Sequence, residues 1–337
     1  MFSFLARISY HRLRARFRAE ARVDLGVFPG PPFRGAFLAA ALSLACADAK
    51  LARGGLADCT RCPRRAACEF ISTFAPPAPP GLALPPGFGD PPRPYVVKAD
   101  LLAAGVLHPG ETISFDVVLV GPAAERLPLA LAALAATTPR GPVSAAVAAA
   151  AGDGRPHPLV LEEITCVISG QTLWRDGVIT GAPAAGRLDA HAPPDVGERL
   201  RVTFRTPFIA RTEIRDFASL LGFIYKRVAP LAWLYGDDCR DVPERLDKSA
   251  AAAVKMTSAA RRPFRVEVQS RRNGDTVVPA SRGEYSFRGE WGAWAPLLAA
   301  GELFHVGKRE AQGFGWYKYG GVAAVASGED RGRPGRK

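Results

Sequence analysis

Bulky and basic residues alternate near the start of the chain. Leu13, Ala15, Phe17 and Ala19 fall on one side, and Arg12, Arg14, Arg16 and Arg18 on the other. A period of two is that of a strand with one buried face and one cationic face. "GVFPGPPFRGAFLAAALSLAC" then reads as a proline-rich turn leading into a helix that starts near Phe33 or Arg34. "YVVKADLL" and "ETISFDVVLVG" are predicted strands, with Ile113, Phe115, Val117 and Leu119 facing one way in the second. "AERLPLALAALAAT" is predicted helical despite its proline, and "HPLVLEEITCVIS" returns as a strand. The order is β-α-β-β-α-β, that of a ferredoxin-like domain.

The pattern then repeats. "RLRVTFRTP" is a strand. "DFASLLGFIYKRVAPLAWLYG" is a helix with Phe217, Leu220, Leu221, Ile224, Val228, Leu231 and Leu234 at three-to-four spacing. "PERLDKSAAAAVKM" reads as a further helix, "PFRVEVQSRR" and "GEYSFRGEW" as strands, "WAPLLAAGELF" as a short helix and "GWYKYGGVAAV" as the last strand. The predicted class is α+β, with two tandem ferredoxin-like domains and a C-terminal glycine-rich loop. The first domain is expected over residues 1–196, with a cysteine-rich insertion at 46–70 and a proline-rich connector at 75–94. The second is expected over 197–326, with the loop at 305–320, and residues 327–337 as a disordered tail.

Charge narrows the function classes. The chain has 44 Lys and Arg against 32 Asp and Glu, a net charge of +12. That balance favours a polyanionic partner, nucleic acid before an acidic membrane surface. No signal peptide and no apolar span are visible, so a cytoplasmic protein is expected, without a membrane or small-molecule partner. In that compartment thiols stay reduced, so the cysteines point to metal or to plain burial.

The loop "HVGKREAQGFGWYKYG" fails the standard phosphate fingerprints. A P-loop needs G-x-x-x-x-G-K-[S/T], whereas here Gly307 and Lys308 come first and Gly313 and Gly315 later. A dinucleotide fingerprint opens a helix, whereas this loop opens a strand. Taken alone it is a tight turn.

In its context the loop carries a resemblance. "GELFHVGKREAQGFGWYKY" is similar to the C-terminal signature H-[V/I]-G-K…G-[F/L]-G-x-Y of the repeat-RNA processing endoribonucleases of the RAMP superfamily, Cas protein family six. "FPGPPFRGAFLAAALSLAC" resembles that family's proline turn, Arg-Gly and first helix. "CTRCPRRAACEFISTF" resembles the C-x-x-C…C segment of its longer members, and "IYKRVAPLAWLYG" its second-domain helix. Two departures stand out: only Gly283 of "SRGEY" is present where the family often has Gly-Gly, and residues 34–70 contain no histidine.

The resemblance implies metal-independent cleavage of precursor CRISPR RNA within its repeats. The 2′-hydroxyl attacks the adjacent phosphate and leaves a cyclic phosphate end. The alternative is a non-catalytic RAMP subunit that binds repeat RNA within an effector complex, with other Cas subunits as partners. Cleavage needs a base, an acid and a cation. The candidates are His305, His11, Lys308 and Tyr285. Arg34, Arg271, Arg272, Arg282, Arg288, Gly307, Lys308, Arg309, Gln312, Gly313, Gly315, Trp316 and Lys318 are the candidate contacts to RNA. Of Trp316 and Tyr317, one is expected in the core and the other free to stack on a base. Cys46, Cys59, Cys62 and Cys68 form C-x12-C-x2-C-x5-C. Four thiolates suit a structural zinc, with an iron–sulfur cluster as runner-up.

Overall fold

The computed structural model describes residues 2–46, 59, 62–79, 91–100, 105–136, 159–188, 197–237, 242–243, 245–270 and 274–321. In the first half, β1 (Ser9–Ala19) is followed by β2 (Val23–Asp24), α1 (Gly30–Ala45), α2 (Glu69–Phe74), β3 (Tyr95–Lys98), β4 (Val106–Leu107), β5 (Thr112–Val120), α3 (Pro122–Glu125), α4 (Leu127–Ala135), β6 (Leu159–Cys166), β7 (Thr172–Arg175), β8 (Val178–Ile179) and β9 (Gly186–Arg187). Strands β3, β5, β1 and β6 pair in that order, all antiparallel, and β7 and β8 extend the β6 edge. This is the ferredoxin-like order predicted.

The second half repeats it with β10 (Arg199–Phe204), α5 (Phe217–Tyr235), β11 (Lys255–Ser270), β12 (Gly274–Arg288), α6 (Ala295–Phe304) and β13 (Tyr317–Gly321). The sheet order is β11-β12-β10-β13. Asp216 and Ser219 cap α5 reciprocally, satisfying donors its first turn would leave unpaired. Among the described residues no helix is long and apolar enough to cross a membrane.

Two boundaries differ from the periodicity reading. Helix α1 starts at Gly30 rather than near Phe33, because Pro31 and Pro32 sit in a first turn whose N–H groups have no helical acceptor in any case. The helix expected over "PERLDKSAAAAVKM" is reduced to a 3-10 turn at Ala250–Ala253. Its C-terminal end is taken by β11, where Lys255 and Met256 pair with Arg288 and Phe287. Ladder pairing overrides the helix preference of an alanine run.

The alternation in β1 is realised in full. Leu13, Ala15, Phe17 and Ala19 are wholly buried against the first domain's helices. Phe115 of β5 stacks between Phe33 of α1, centroids 4.5 Å apart, and Phe17 of β1, 5.6 Å apart. The arginine face is not an open cationic surface. Arg12 and Arg14 bind Asp116, Arg16 and Arg18 bind Glu162, and Arg16 and Arg175 bind Glu163.

That same arginine face, turned away from the helices, packs in part against the second domain. Tyr10, Val96, Val118 and Val120 belong to the same core as α5, α6 and the inner face of the second sheet. The two sheets are thus joined by shared apolar packing, and the glycine-rich turn lies where they meet.

Replacing Phe115 with Ala removes the middle ring of the stack that ties α1 to β1 and β5. The expected loss of stability is about 3–5 kcal/mol. Chemical denaturation measures it, and a loss below about 1 kcal/mol would mean that the site collapses around the smaller side chain.

Candidate nucleic-acid interface

The turn begins where α6 stops. His305, the residue after the helix, has φ 60° and ψ 172°. That region is almost confined to glycine, and a side chain held there is strained. Gly315 has φ +75°, and a Cβ on it would fall 1.8 Å from the Val306 carbonyl oxygen. Gly307, at φ +96°, is pressed against the Ile209 carbonyl. No other residue fits these two positions without moving backbone.

The turn is a junction. Phe314 meets Phe28, in the loop before α1, edge-on at 4.8 Å. The same small cluster takes in Ile209 and Val266 and Val278 from the β11–β12 hairpin. Gly30, which opens α1, touches the Gln312 carbonyl, and Gly313 touches the Val97 carbonyl of β3. Both domains and the hairpin therefore converge on one loop.

The loop's amides are largely spent inside the protein. Val306 N–H donates to Gly315 O, Lys308 N–H to Ile209 O, Gly313 N–H to Glu310 O, Gly315 N–H to Pro207 O and Trp316 N–H to Thr206 Oγ1. The turn is thus not a cradle of free backbone N–H groups, although its glycines would allow one. What it presents outward is charge: Lys308 and Lys318 are exposed and Arg309 half-buried.

The candidate proton carriers lie deeper. His305 is 0% exposed. Its Nδ1 donates to the Phe314 carbonyl at 3.2 Å, its Nε2 has no hydrogen-bond partner, and its ring lies parallel to Trp316. Burial first, then the charges of Lys98 and Arg227, hold its pKa well below that of an ordinary histidine. It is therefore a neutral imidazole that orders the turn. His11 is also buried, and burial lowers its pKa. Tyr285 is buried against Phe204, and burial raises its pKa. Of the four, only Lys308 stands in solvent.

The indole of Trp316 is 8% exposed and Tyr317 wholly buried, so neither ring is free to stack on a base. The Trp316 ring is covered by Lys98 and flanked by Lys318. Arg34 is half-buried, its Nε donating to the Tyr95 hydroxyl at 3.1 Å beside the turn. Gln312 touches α1 through its backbone, and Arg271 and Arg272 lie outside the described residues.

The basic surface is the open face of the second sheet. Cross-strand partners share a face. Arg199 pairs with Arg288, which pairs with Lys255. Arg201 pairs with Ser286, and Thr203 lies opposite Lys318. Arg262 stands directly across from Arg282. Carboxylates are sparse on this face: Glu284 lies 3.4 Å from Arg201, and Glu198 is 3.8 Å from Arg288. Like charges placed opposite one another repel, and an anion between them removes the repulsion. Arg199, Arg201 and Arg262 had not been singled out from the sequence, although the alternation in "RLRVTF" already sets the first two on the polar side.

The cysteines share one corner of the first domain. Cys46 ends α1, Cys68 opens α2, Cys59 is buried in the helix-side core, and Cys62 N–H donates to Cys59 O. Among the described residues no three His, Cys, Asp or Glu side chains stand where they can hold a metal ion. The described side chains do not form the tetrahedral set that the spacing suggests.

Residues 202–317 match the family model described as CRISPR-associated endoribonuclease Cas6, and residues 7–181 match AF_1859_N, described as an N-terminal domain. No curated protein matches the chain. Among solved structures, Thermus thermophilus Cas6 is 14% identical, with a TM-score of 0.45 over 93% of this chain and 98% of its own. The chain of a partial Cas6-RT-Cas1–Cas2 complex is 12% identical, with a TM-score of 0.53 over 94% of this chain and 47% of its own, a likeness of fold. On this tandem ferredoxin-like topology, and including most of the C-terminal turn, residues 202–317 thus match the domain described as CRISPR-associated endoribonuclease Cas6.

Proposed function

We propose that the protein holds CRISPR repeat RNA along the open face of its second sheet and around the glycine-rich turn, and cuts it there. The observation that carries this reading is the array of arginines and lysines on one sheet face, with Arg262 and Arg282 opposed across the hairpin. Phe264, paired with Ala280, is the aromatic on this face, and it packs on the Phe28 and Phe314 cluster, so the face suits phosphates rather than stacked bases.

In the proposed reaction the 2′-oxygen bonds to phosphorus as the 5′-oxygen leaves. The 2′-proton passes to a base and the leaving oxygen takes a proton from an acid. Lys308, exposed on the turn, is the cation that meets the charge growing on the phosphate in this reading. His11, His305 and Tyr285 are enclosed in the RNA-free protein. Any of them that moves a proton does so only after RNA has rearranged the seam, as tightening on substrate requires.

The test is incubation of the purified protein, in EDTA, with end-labelled repeat RNA from the source genome and with copies carrying one 2′-deoxy sugar at each position. A single cut abolished by one deoxy sugar is expected. Tight binding without a cut would make the protein a repeat-binding subunit instead.

Lys308→Ala and Arg262→Ala are each expected to weaken binding and to reduce the slope of log affinity against log salt by about one, with an unchanged melting temperature. An unchanged slope in both would remove the sheet face from the RNA path. Gly315→Ala is expected to lower the melting temperature and binding together, because its Cβ has no room beside Val306.

A further inference from the structure

Lys98 ends β3 on the sheet face turned to the second domain, and it is 3% exposed. Ammonium groups are rarely so enclosed without a carboxylate beside them. Here Nζ donates to the Glu302 carbonyl oxygen at 3.2 Å and lies 4.5 Å over the Trp316 ring. Lys318 approaches the same ring at 5.9 Å, and its ammonium is paired with the Glu302 carboxylate. Glu302 thus gives its backbone to the buried lysine and its side chain to the exposed one.

The charged and titratable groups around Lys98 are Arg12 on β1, Asp116 on β5, Glu302 on α6, Lys318 on β13 and His305 in the turn. Asp116 is already engaged by Arg12 and Arg14. Burial lowers the Lys98 pKa to about 7, Arg12 and Lys318 lower it too, and Glu302 and Asp116 oppose them.

We propose that Lys98 is a positioning residue of the RNA site that takes a proton from solvent when RNA binds. A phosphate seated on Lys318 draws that ammonium away from Glu302, and the freed carboxylate becomes the partner of Lys98 beneath Trp316. The proposal rests on the reading of the second sheet's open face as the RNA path. Both consequences of the exchange act in one direction: the phosphate offsets the charge of Lys318, which disfavoured a charged Lys98, and the released Glu302 carboxylate favours it.

The sign of the pH effect follows from linkage. RNA-bound protein holds more protons than free protein between the free and the bound pKa of Lys98. Affinity therefore falls as pH rises above about 7, by up to about tenfold per pH unit, until the bound pKa is reached. A lysine that only props the seam would give no such slope.

The experiment measures affinity by fluorescence anisotropy, with the full chain, fixed salt and repeat RNA made uncleavable by one 2′-deoxy sugar. The pH runs from about 6.5 to about 9, a range in which RNA phosphates do not titrate. Wild-type affinity is expected to fall with pH, and that of Lys98→Met, of similar length and uncharged, to stay flat. A slope retained in Lys98→Met, or absent in the wild type, overturns the proposal. Should Lys98→Met fail to melt as a folded protein, calorimetry of the wild type near pH 8 in two buffers of different ionisation enthalpy counts the protons directly. Uptake of up to one proton is expected, and none overturns the proposal. Failure to bind the repeat RNA at any pH would instead sink the RNA reading on which it stands.

Discussion

The close approach of backbone to backbone at the glycine-rich turn governs the rest of the structure. Gly30 and Gln312, Gly313 and Val97, Gly307 and Ile209, and Gly315 and Val306 meet with no space for a Cβ between them. These contacts draw the start of α1, the end of β3 and the entry to α5 onto one loop. The amides of that loop are consumed in holding it, with Gly315 N–H on Pro207 O and Lys308 N–H on Ile209 O. A loop so fixed is a frame for side chains rather than an anion nest. What it presents to solvent is the side chains it pushes outward, above all Lys308 and Lys318.

Charge is distributed so that only one of two arginine-rich strands stays open to a partner. In β1 each arginine meets a carboxylate on a neighbouring strand, and Asp116 is held low for that reason. Burial alone would raise its pKa, but the hydrogen bonds and charges of Arg14 and Arg12 outweigh it. The first sheet is thereby cross-linked, and much of the positive charge on that face is offset. In the second sheet Arg199, Arg201 and Arg288 meet few acids, and Arg262 meets Arg282. Both strands read alike as alternating arginine and apolar residues. What separates them is the identity of the neighbours, Asp116, Glu162 and Glu163 in one case and Ser286 and Arg282 in the other.

That difference marks how far the sequence was legible. Periodicity is local, so it found both ferredoxin-like repeats, the buried face of β1 and the long helix α5. Pairing is not local, so it could not show that Asp116, about a hundred residues from Arg12 and Arg14, would bind both and offset part of their charge. The turn was found by its glycines and lysines, but burial of its histidine and tryptophan is decided by α6 and β3. Lys98 and Arg227 escaped notice for the same reason. Lys98 stands among apolar residues and Arg227 follows a second basic residue, Lys226, and only the seam between the domains encloses them. The spacing of the cysteines suggested a metal, and the described residues do not bring three of them together.

His305 shows how these constraints combine. The chain after α6 must turn sharply enough to place Val306 against Gly315, which puts position 305 in a backbone region suited to glycine. Glycine there would remove the strain, but it would also leave the Phe314 carbonyl without its Nδ1–H donor and Trp316 without the ring beside it. A histidine is tolerable in so enclosed a place only while neutral, and burial beside Lys98 and Arg227 keeps it so. The strain at 305 is thus offset by what the ring holds in order: the carbonyl of Phe314, whose own ring anchors α1's entry loop, and the face of Trp316, over which Lys98 lies. The conformation of the turn's exposed lysines and the packing of the two domains are set by the same neutral imidazole.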